Sequence, residues 1–335
     1  MPPFSREVHL IERPVGLPNE TQFKIVSTVV PDVGVGEILV KNLYMSVDPY
    51  MRPRLSAQTE LDTPMTGAAI GRVAQSRHSG FSEGDYVVSA CGFREYFLAT
   101  GSNALQAVRK LDPDGMPLTT YLGPLGNTGI TAYGGLLVIG AMQDGERVFV
   151  SAAAGAVGST AVQIAKIKGC HVVGSAGSNE KCEWIKNELR ADAVINYKKE
   201  NIHEALKTAA PDGIDVYFEN VGSEHLNAAL ANMRALGRIP VCGMISSYNN
   251  EGTLSDPITA LFRMIYGRIT MRGFVSYEFE SLRPRFLDDM KGWIRQGKMK
   301  YRETIVVGIE HAPAALIGLF KGDNIGKMIV QLAAE

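Results

Sequence analysis

The fold of this chain is decided by the stretch Val148-Phe149-Val150-Ser151-Ala152-Ala153-Ala154-Gly155-Ala156-Val157-Gly158. It opens with a short β-rich run, passes through a turn of small residues, and continues into an amphipathic pattern over 157–168. Aligned on the pattern G-x-G-x-x-G, Ala153 takes the place of the first glycine, while Gly155 and Gly158 hold the second and third. The stretch therefore predicts a strand, a tight turn and a helix in direct succession.

A loop of this kind suits the pyrophosphate of a dinucleotide. Gly155 would let backbone amides approach the phosphates, and Gly158 would let the helix lie close against the strand, while a methyl is tolerable at the tight turn. The helix N-terminus adds free N–H groups and partial positive charge. We therefore predict a dinucleotide site whose loop contacts are Gly155, Ala156, Val157 and Gly158.

From about residue 145 onward, apolar strands alternate with helices, which predicts an α/β fold with a doubly wound parallel sheet covered on both faces. The predicted strands are 148–151, 171–174, 193–195, 215–218, 238–241 and 271–275. The predicted helices are 157–168, 179–189, 201–210, 224–233 and 284–296.

The residues before about Tyr121 have a different pattern, with short strands such as 37–43 and 86–88 between Gly, Pro, Asp and Ser clusters. This pattern predicts a compact, barrel-like all-β domain. The tail has predicted strands at 304–307 and 327–332 and a helix at 313–320, and we expect it to rejoin the first domain. The predicted domains are thus 1–121 with 300–335, and 122–299.

The end of the second α/β strand indicates which dinucleotide is bound. An NAD enzyme has a carboxylate there, about 20 residues after the loop, to hold the ribose 2′-OH. This chain has the small, neutral stretch Gly174-Ser175-Ala176-Gly177-Ser178, and Lys181 follows one turn into the next helix. We therefore predict NADP(H), with Lys181 pairing with the 2′-phosphate.

Composition excludes several other classes of protein. Lys and Arg (34) balance Asp and Glu (35), so no basic face for nucleic acid is expected. The first residues are charged and no uncharged apolar run reaches ~18 residues, so we expect neither a secretion signal nor a membrane span. The four cysteines are scattered, which is typical of reduced thiols and a cytoplasmic location.

Metal chemistry is not expected either. Zinc sites need Cys, His or carboxylate ligands at set spacings. The six histidines form no H-x-x-x-H pair, the cysteines form no C-x-x-C pair, and no Gly-His-Glu motif occurs. We therefore predict no bound metal.

The chain resembles the medium-chain dehydrogenase/reductase superfamily, and within it the zinc-independent prostaglandin reductase, alkenal double-bond reductase and curcumin reductase group. The stretches that carry the resemblance run almost end to end: Met45–Arg52, Gly129–Tyr133, Ala152–Gly158, Asp192–Lys198, Glu219–Gly222, Cys242–Asn249 and Lys321–Lys327. One departure is Gly126-Asn127-Thr128-Gly129, where the group usually has Gly-Met-Pro-Gly.

The resemblance implies a GroES-like first domain, a Rossmann second domain, an active site between them and a homodimer. It implies that Lys181 and Tyr197 hold the adenosine phosphate end of the cofactor. The other implied cofactor residues are Asn220, the loop Cys242, Gly243, Met244, Ile245, Ser246, Ser247 and Tyr248, and, at the nicotinamide end, Phe274, Val275, Ser276 and Asn324. The departure at Asn127 and Thr128 concerns the shape of the site near the nicotinamide.

The implied reaction is the NADPH-dependent reduction of the C=C bond of enones and alkenals, on a small apolar electrophile. Hydride addition at the β-carbon builds negative charge on the carbonyl oxygen, so the site needs a hydrogen-bond donor in dry surroundings. The resemblance points to Tyr266 as that donor, and Tyr50 is a second donor or a pocket wall. Two alternatives stay open: a zinc-free NADPH quinone reductase, and an NADPH-binding sensor or structural protein.

Overall fold

The computed structural model of the chain describes residues 4–101, 108–250 and 257–335. The chain folds into two units. The first unit comprises Met1–Leu122, Glu303–Asn324 and Met328–Glu335, and the second comprises Gly123–Arg302 with Ile325–Lys327. Each unit is therefore built from segments that are distant in sequence.

The first unit consists mainly of short strands between turns. Its strands are β1 Phe4–Leu10, β2 Phe23–Val29, β3 Ile38–Ser46, β4 Ala69–Ser76, β5 Tyr86–Ser89, β6 Tyr96–Ala99, β7 Arg109–Lys110, β14 Glu303–Val307 and β15 Lys327–Gln331. β1 and β2 form an antiparallel pair, and the other strands form one sheet in the order β14-β15-β3-β4-β5-β7, with β6 also paired to β3. A helix over Ala312–Lys321, numbered α9, packs its buried residues into the main apolar core of this unit.

The prediction that the chain is all-β up to Tyr121 is wrong at Met51–Ala57, apart from single 3-10 turns at Glu20–Gln22 and Leu118–Leu122. Residues Met51–Ala57 form a helix, α1. Met51 and Leu55 lie on one face and are buried, and the buried guanidinium of Arg52 donates to the carbonyl of Gly16 at 2.7 Å. Pro53 falls in the first turn, where a missing N–H is tolerated. The helix is too short for its periodicity to be recognised in the sequence.

The second unit contains a parallel sheet of six strands. They are β8 Arg147–Val150, β9 His171–Ala176, β10 Ala193–Asn196, β11 Ile214–Phe218, β12 Met233–Val241 and β13 Thr270–Gly273. Their order is β10-β9-β8-β11-β12-β13, and each neighbouring pair is parallel. The predicted fold class, a doubly wound parallel sheet beside a separate β-rich domain, is confirmed.

Helices connect and flank these strands. They are α2 Asn127–Gly134, α3 Ala156–Ile167, α4 Asn179–Asn187, α5 Ile202–Ala209, α6 Ser223–Asn232, α7 Arg263–Gly267 and α8 Arg283–Arg295. The predicted boundaries in this unit agree to within two residues, except that β12 begins five residues early, at Met233 instead of 238. Met233 pairs with Ile214, and the irregular register that follows breaks the period-2 pattern.

Helix α2 is not predicted from the sequence, because its glycines weaken a helical pattern. Those glycines are needed for packing. A Cβ on Gly129 would lie 1.9 Å from the carbonyl oxygen of Pro124, and one on Gly134 would lie 2.3 Å from the ring of Phe279. The glycines of α2 thus let Pro124 and Phe279 pack directly against the helix.

Among the helices of residues 4–101, 108–250 and 257–335, none has the length and apolar character that crossing a bilayer requires.

Candidate cofactor-binding site

In the parallel sheet, β9 and β10 lie on one side of β8, and β11 to β13 lie on the other. Ligands of doubly wound sheets bind at this change in strand order, in the crevice outside the carboxyl ends of the two central strands, here β8 and β11. Because all six strands are parallel, the loops that follow them leave the same edge of the sheet. The predicted cofactor residues of this unit lie on or just after those loops: Gly155–Gly158 after β8, Lys181 after β9, Tyr197 after β10, Asn220 after β11, Cys242–Tyr248 after β12 and Phe274–Ser276 after β13. The topology thus brings them to one edge.

The loop after β8 leads directly into the N-terminus of α3. Gly155 is the N-cap of α3, in extended conformation, and has no side chain to cap the first turn. Gly158 must be a glycine, because a Cβ there would lie 2.3 Å from the carbonyl oxygen of Ala152. The helix N-terminus is therefore close to the strand and available to a phosphate.

A segment much later in the chain is hydrogen-bonded to this loop. Gly326 N–H donates to the carbonyl of Ala154 at 2.8 Å, and Gly326 and Gly155 form a parallel β-bridge. Gly326 has a φ of 69°, and a Cβ on it would lie 1.9 Å from the carbonyl oxygen of Arg302. The dinucleotide loop is thus clamped between its own helix and this later segment.

The strained residue of the turn is Ala152 and not Ala153, where the sequence pattern puts the first glycine. Ala152 has a left-handed φ of 47°. The methyl of Ala153 is accommodated instead by Gly174 on β9, where a Cβ would lie 3.0 Å from it. The missing first glycine is thus compensated on the neighbouring strand.

We expect Ala152→Gly to raise the thermal midpoint. A left-handed L-residue costs about 1–2 kcal/mol, and the added chain entropy of glycine removes about half of that gain. The net effect on a unit of this size is an increase in Tm of about 1–3 °C, measured by calorimetry. Ala154→Gly, at a position without left-handed backbone, is the control and should lower Tm; a drop in both variants would contradict the strain assignment.

The residues predicted for the adenosine end lie around Gly177, directly after β9. A Cβ on Gly177 would lie 2.8 Å from the hydroxyl oxygen of Tyr197, so the phenol tip lies over this glycine. Ser178 caps α4 by accepting from the Lys181 amide at 3.3 Å, and the Lys181 side chain is half-buried. Lys181 and Tyr197 thus flank the same neutral strand end.

The ring of Tyr197 packs against a histidine. Its edge-on contact with His225 has a centroid distance of 4.9 Å, and His225 in turn stacks on Phe149. Burial lowers the pKa of His225 to about 4, so the imidazole is neutral at neutral pH. The aromatic stack thus holds Tyr197 through a neutral imidazole.

The loops after β11 and β12 interlock. The Asn220 side-chain amide donates to the carbonyl of Ser151 at 2.7 Å. The carbonyl of Asn220 accepts from the Ile245 amide at 3.1 Å, and the carbonyl of Val221 accepts from the Ser246 amide at 3.1 Å. Asn220 therefore joins the loops after β8, β11 and β12.

Two side chains of the β12 loop are largely shielded from water. Burial raises the pKa of the Cys242 thiol to about 12, with Glu219 adding to the shift, so it is no nucleophile at neutral pH. The hydroxyl of Tyr248 accepts from the Met244 amide at 3.3 Å, and burial raises the pKa of Tyr248. Tyr248 is thus a neutral phenol in partly dry surroundings, within the predicted cofactor loop.

The remaining predicted residues have varied surroundings. Tyr266, on α7, is 84% exposed in the single chain. Tyr50 belongs to the first unit, immediately before α1, with the Arg54 guanidinium 4.7 Å over its ring. Phe274 is buried between the rings of Phe218 and Phe279. Val275 is exposed, Ser276 is half-buried, and Asn324 is half-buried in the first unit.

The departure at Asn127 and Thr128 lies at the start of α2. Asn127 is exposed in the first turn, and the Thr128 hydroxyl donates to the carbonyl of Gly123 at 2.8 Å. The two residues therefore form an ordinary polar helix start.

Within the ranges that the structure describes, His, Cys, Asp and Glu side chains form no group of three or more that could hold a metal ion.

The role of Glu219 is not evident from the sequence, where the residue is one member of the matching stretch Glu219–Gly222. Glu219 follows β11 directly and is fully buried, and its Oε1 accepts hydrogen bonds from Tyr217, Val221, Gly222 and Ser151. The sequence signal that could have identified Glu219 is an acidic residue directly after an apolar strand. A carboxylate is rarely buried without hydrogen-bond partners, so such a position indicates that other groups bind it.

Comparison with known proteins extends the likeness to both units. Two protein-family models match: one described as the N-terminal domain of oxidoreductase, over residues 6–108, and one described as zinc-binding dehydrogenase, over residues 156–291. Prostaglandin reductase 1 of Rattus norvegicus is 43% identical over 94% of this chain and 95% of its own length. The 2-alkenal reductase (NADP(+)-dependent) of Nicotiana tabacum is 42% identical over 99% and 98%. The crystal structure of CurA from Vibrio vulnificus in complex with NADPH has a TM-score of 0.92 at 37% identity, covering 98% of this chain and 100% of that one.

Proposed function

This chain belongs to the medium-chain dehydrogenase/reductase family, in the group of the prostaglandin, alkenal and curcumin reductases, and we propose that it reduces the C=C bond of enones and enals with NADPH. The observation that carries the proposal is the glycine-capped helix start at Gly155 beside a second-strand end that is small and neutral. The loop would hold the pyrophosphate, and Lys181 and Tyr197, beside the strand end at Gly177, would hold the 2′-phosphate. The substrate would be a small, mostly apolar electrophile.

The chemistry that bound NADPH supplies is hydride transfer to the β-carbon of the substrate. The protein must then stabilise the negative charge that develops on the carbonyl oxygen. The sequence-based proposal assigns this to Tyr266, with Tyr50 as a second donor or a pocket wall. Because Tyr266 is largely exposed in the single chain, its assignment requires that substrate or a second subunit covers the ring.

Tyr248 is a second candidate for the donor. It is half-buried, lies on the loop that follows β12, and carries a phenol whose pKa is raised by burial. A donor in dry surroundings stabilises a developing oxyanion more than one in water, which favours Tyr248 over Tyr266. The remaining proposed cofactor contacts are the residues predicted from the sequence, from Gly155 to Asn324.

The experiment that tests the function is a panel of enones, enals and quinones, followed by the loss of NADPH absorbance. We expect turnover of an enone such as 1-octen-3-one to exceed that of a quinone, with one NADPH consumed per saturated product. Preference for the quinone would support a zinc-free quinone reductase instead. Tight NADPH binding without turnover of either class would support a sensor or structural protein.

Lys181→Ala should weaken NADPH selectively. Loss of a charge-assisted contact with the 2′-phosphate costs about 1.5–3 kcal/mol, which is roughly a tenfold to hundredfold rise in Kd. Titration calorimetry with NADPH and NADH measures the selectivity, and Lys207→Ala, an exposed lysine on α5, is the control. Equal losses for both cofactors would remove Lys181 from the phosphate site.

Three further expectations are part of the proposal. The resemblance implies a homodimer, which light scattering of the purified protein tests. Neither nucleic acid nor membrane is an expected partner, and the expected location is cytoplasmic. None of these affects the assignment of the cofactor loops.

A further inference from the structure

Glu219 connects the loops at the carboxyl edge of the parallel sheet. Its side-chain Oε1 accepts from the Val221 amide at 2.6 Å and the Gly222 amide at 2.9 Å. Its backbone carbonyl accepts from the Cys242 and Gly243 amides at 2.9 and 3.1 Å. One residue thus fixes the turn after β11 and the beginning of the loop after β12.

The same carboxyl reaches the loop after β8 through Ser151. The Ser151 hydroxyl lies 3.2 Å from Glu219 Oε1 and accepts from the Asn220 amide at 2.9 Å. The Tyr217 hydroxyl donates to Oε1 at 2.7 Å and lies 3.1 Å from the Ser151 hydroxyl. Three consecutive amides, those of Asn220, Val221 and Gly222, are therefore held by two side-chain oxygens.

The number of donors on one oxygen is more than a stable turn needs. Either amide alone would be satisfied by a serine or by water, whereas here a whole carboxyl is fully buried to collect four donors. Its second oxygen, Oε2, has no hydrogen-bond partner among the described residues. Such an arrangement is costly for stability, which suggests selection for the shape of the loops it holds.

A dinucleotide binds across the point where the strand order changes, and the predicted adenosine residues follow β9 and β10, on the other side of β8 from these loops. We therefore propose that Glu219 is a positioning residue for the nicotinamide half of the cofactor: its Oε1 holds the 220–222 turn and, with it, Asn220 and the Cys242–Tyr248 loop in the geometry that binds. The inference rests on the proposed function only for the identity of the cofactor. The adenosine half, at Gly177 and Lys181, lies on other loops and does not depend on this carboxyl.

The titratable side chains packed around Glu219 are neutral. Burial raises the pKa of Glu219, against the lowering effect of its hydrogen bonds to Gly222, Tyr217, Val221 and Ser151. Tyr217, Cys242 and Tyr248 all have pKa values raised by burial and are neutral at neutral pH. The hydrogen bonds of the carboxyl therefore carry the positioning role.

Two substitutions separate the acceptor oxygen from the acidic group. Glu219→Gln keeps the acceptor oxygen at Oε1 and removes the acidic group. NADPH Kd and kcat should therefore stay within about threefold of the wild type. Glu219→Met fills similar volume without an acceptor, so NADPH Kd should rise by about tenfold or more. Ser151→Ala removes the anchor of the Asn220 amide and should raise NADPH Kd by a smaller factor. Glu224→Gln, at an exposed acid five residues on, is the control.

The readout is titration calorimetry of the full-length protein with NADPH and with adenosine 2′,5′-bisphosphate, a fragment that lacks the nicotinamide half. We expect the Kd of the fragment to change by less than about twofold in every variant. Wild-type NADPH affinity in both Glu219→Met and Ser151→Ala would overturn the proposal, as would equal loss of both ligands, which marks a general structural role. Loss in Glu219→Gln as large as in Glu219→Met would also overturn it. If Glu219→Met does not fold, Glu219→Gln and Ser151→Ala decide alone.

These outcomes differ from a failure of the proposed function. A wild-type protein that binds NADPH but reduces no enone would refute the proposed substrate and leave the binding comparison intact. A wild-type protein that binds neither NADPH nor the bisphosphate would refute both.

Discussion

Of the two variants Tyr248→Phe and Tyr266→Phe, one should lose about 100- to 1000-fold in kcat on an enone, and the other should keep wild-type turnover. Removing one donor from a preorganised oxyanion site costs about 2.7–4 kcal/mol, an upper expectation where a cofactor hydroxyl shares the task. Phenylalanine keeps the ring packing and removes only the hydroxyl. The burial of Tyr248 makes it the more favourable donor in the single chain.

Steady-state kinetics separates the possible results. A contact made in the transition state lowers kcat and kcat/KM together and leaves the KM of the enone nearly unchanged. NADPH Kd, measured separately, should change little, since phenylalanine keeps the ring of residue 248 in the cofactor loop and the hydrogen bond that its hydroxyl accepts from the Met244 amide is long, at 3.3 Å. Wild-type kcat in both variants would show that neither phenol polarises the carbonyl.

Gly177→Asp should reverse the choice of cofactor. The new carboxylate would stand directly after β9, where it repels a 2′-phosphate and accepts from a 2′-OH. Like charges in contact cost several kcal/mol, so NADPH Kd should rise by at least about 100-fold while NADH Kd falls. The Tyr197 phenol must also move, because its hydroxyl oxygen lies 2.8 Å from the position of a Cβ at residue 177.

Gly177→Asn is the matched control, because it has the same shape without the charge. It should weaken both cofactors by a similar, smaller factor through the displacement of Tyr197. Direct binding measurements with NADPH and NADH compare the three proteins. If the asparagine variant discriminates as strongly as the aspartate variant, repulsion of the phosphate is not the cause, and the 2′-phosphate does not bind at this strand end.

The second unit is well predicted from the sequence because its signals are local and repeated. Its strands are short apolar runs and the helices that connect them, apart from α2 and α7, have their own periodicity, so the parallel sheet and the loop at Gly155 follow from short windows. The helix α1 leaves no such signal, because a seven-residue element has little periodicity and its buried Arg52 donates to carbonyls distant in sequence, those of Pro14 and Gly16.

The candidate site is less predictable for the same reason. The space that Gly174 leaves for the methyl of Ala153 depends on two strands that are adjacent only in space. Likewise, Glu219 in the sequence is one acid in a matching motif, and its four donors come from three different loops or strands. Contacts of this kind follow from tertiary pairing and leave no pattern within a window of sequence.

The clamp between Gly326 and the dinucleotide loop has a consequence for biosynthesis. Gly326 comes much later in the sequence than the Ala154 carbonyl and Gly155 that it contacts. A nascent chain can form β8 and α3 early, but its phosphate loop lacks this clamp until residue 326 has left the ribosome. The cofactor therefore meets a fully supported loop only after the whole parallel sheet has been synthesised, and translation that stops short of residue 326 yields a protein whose nucleotide loop is left without its clamp.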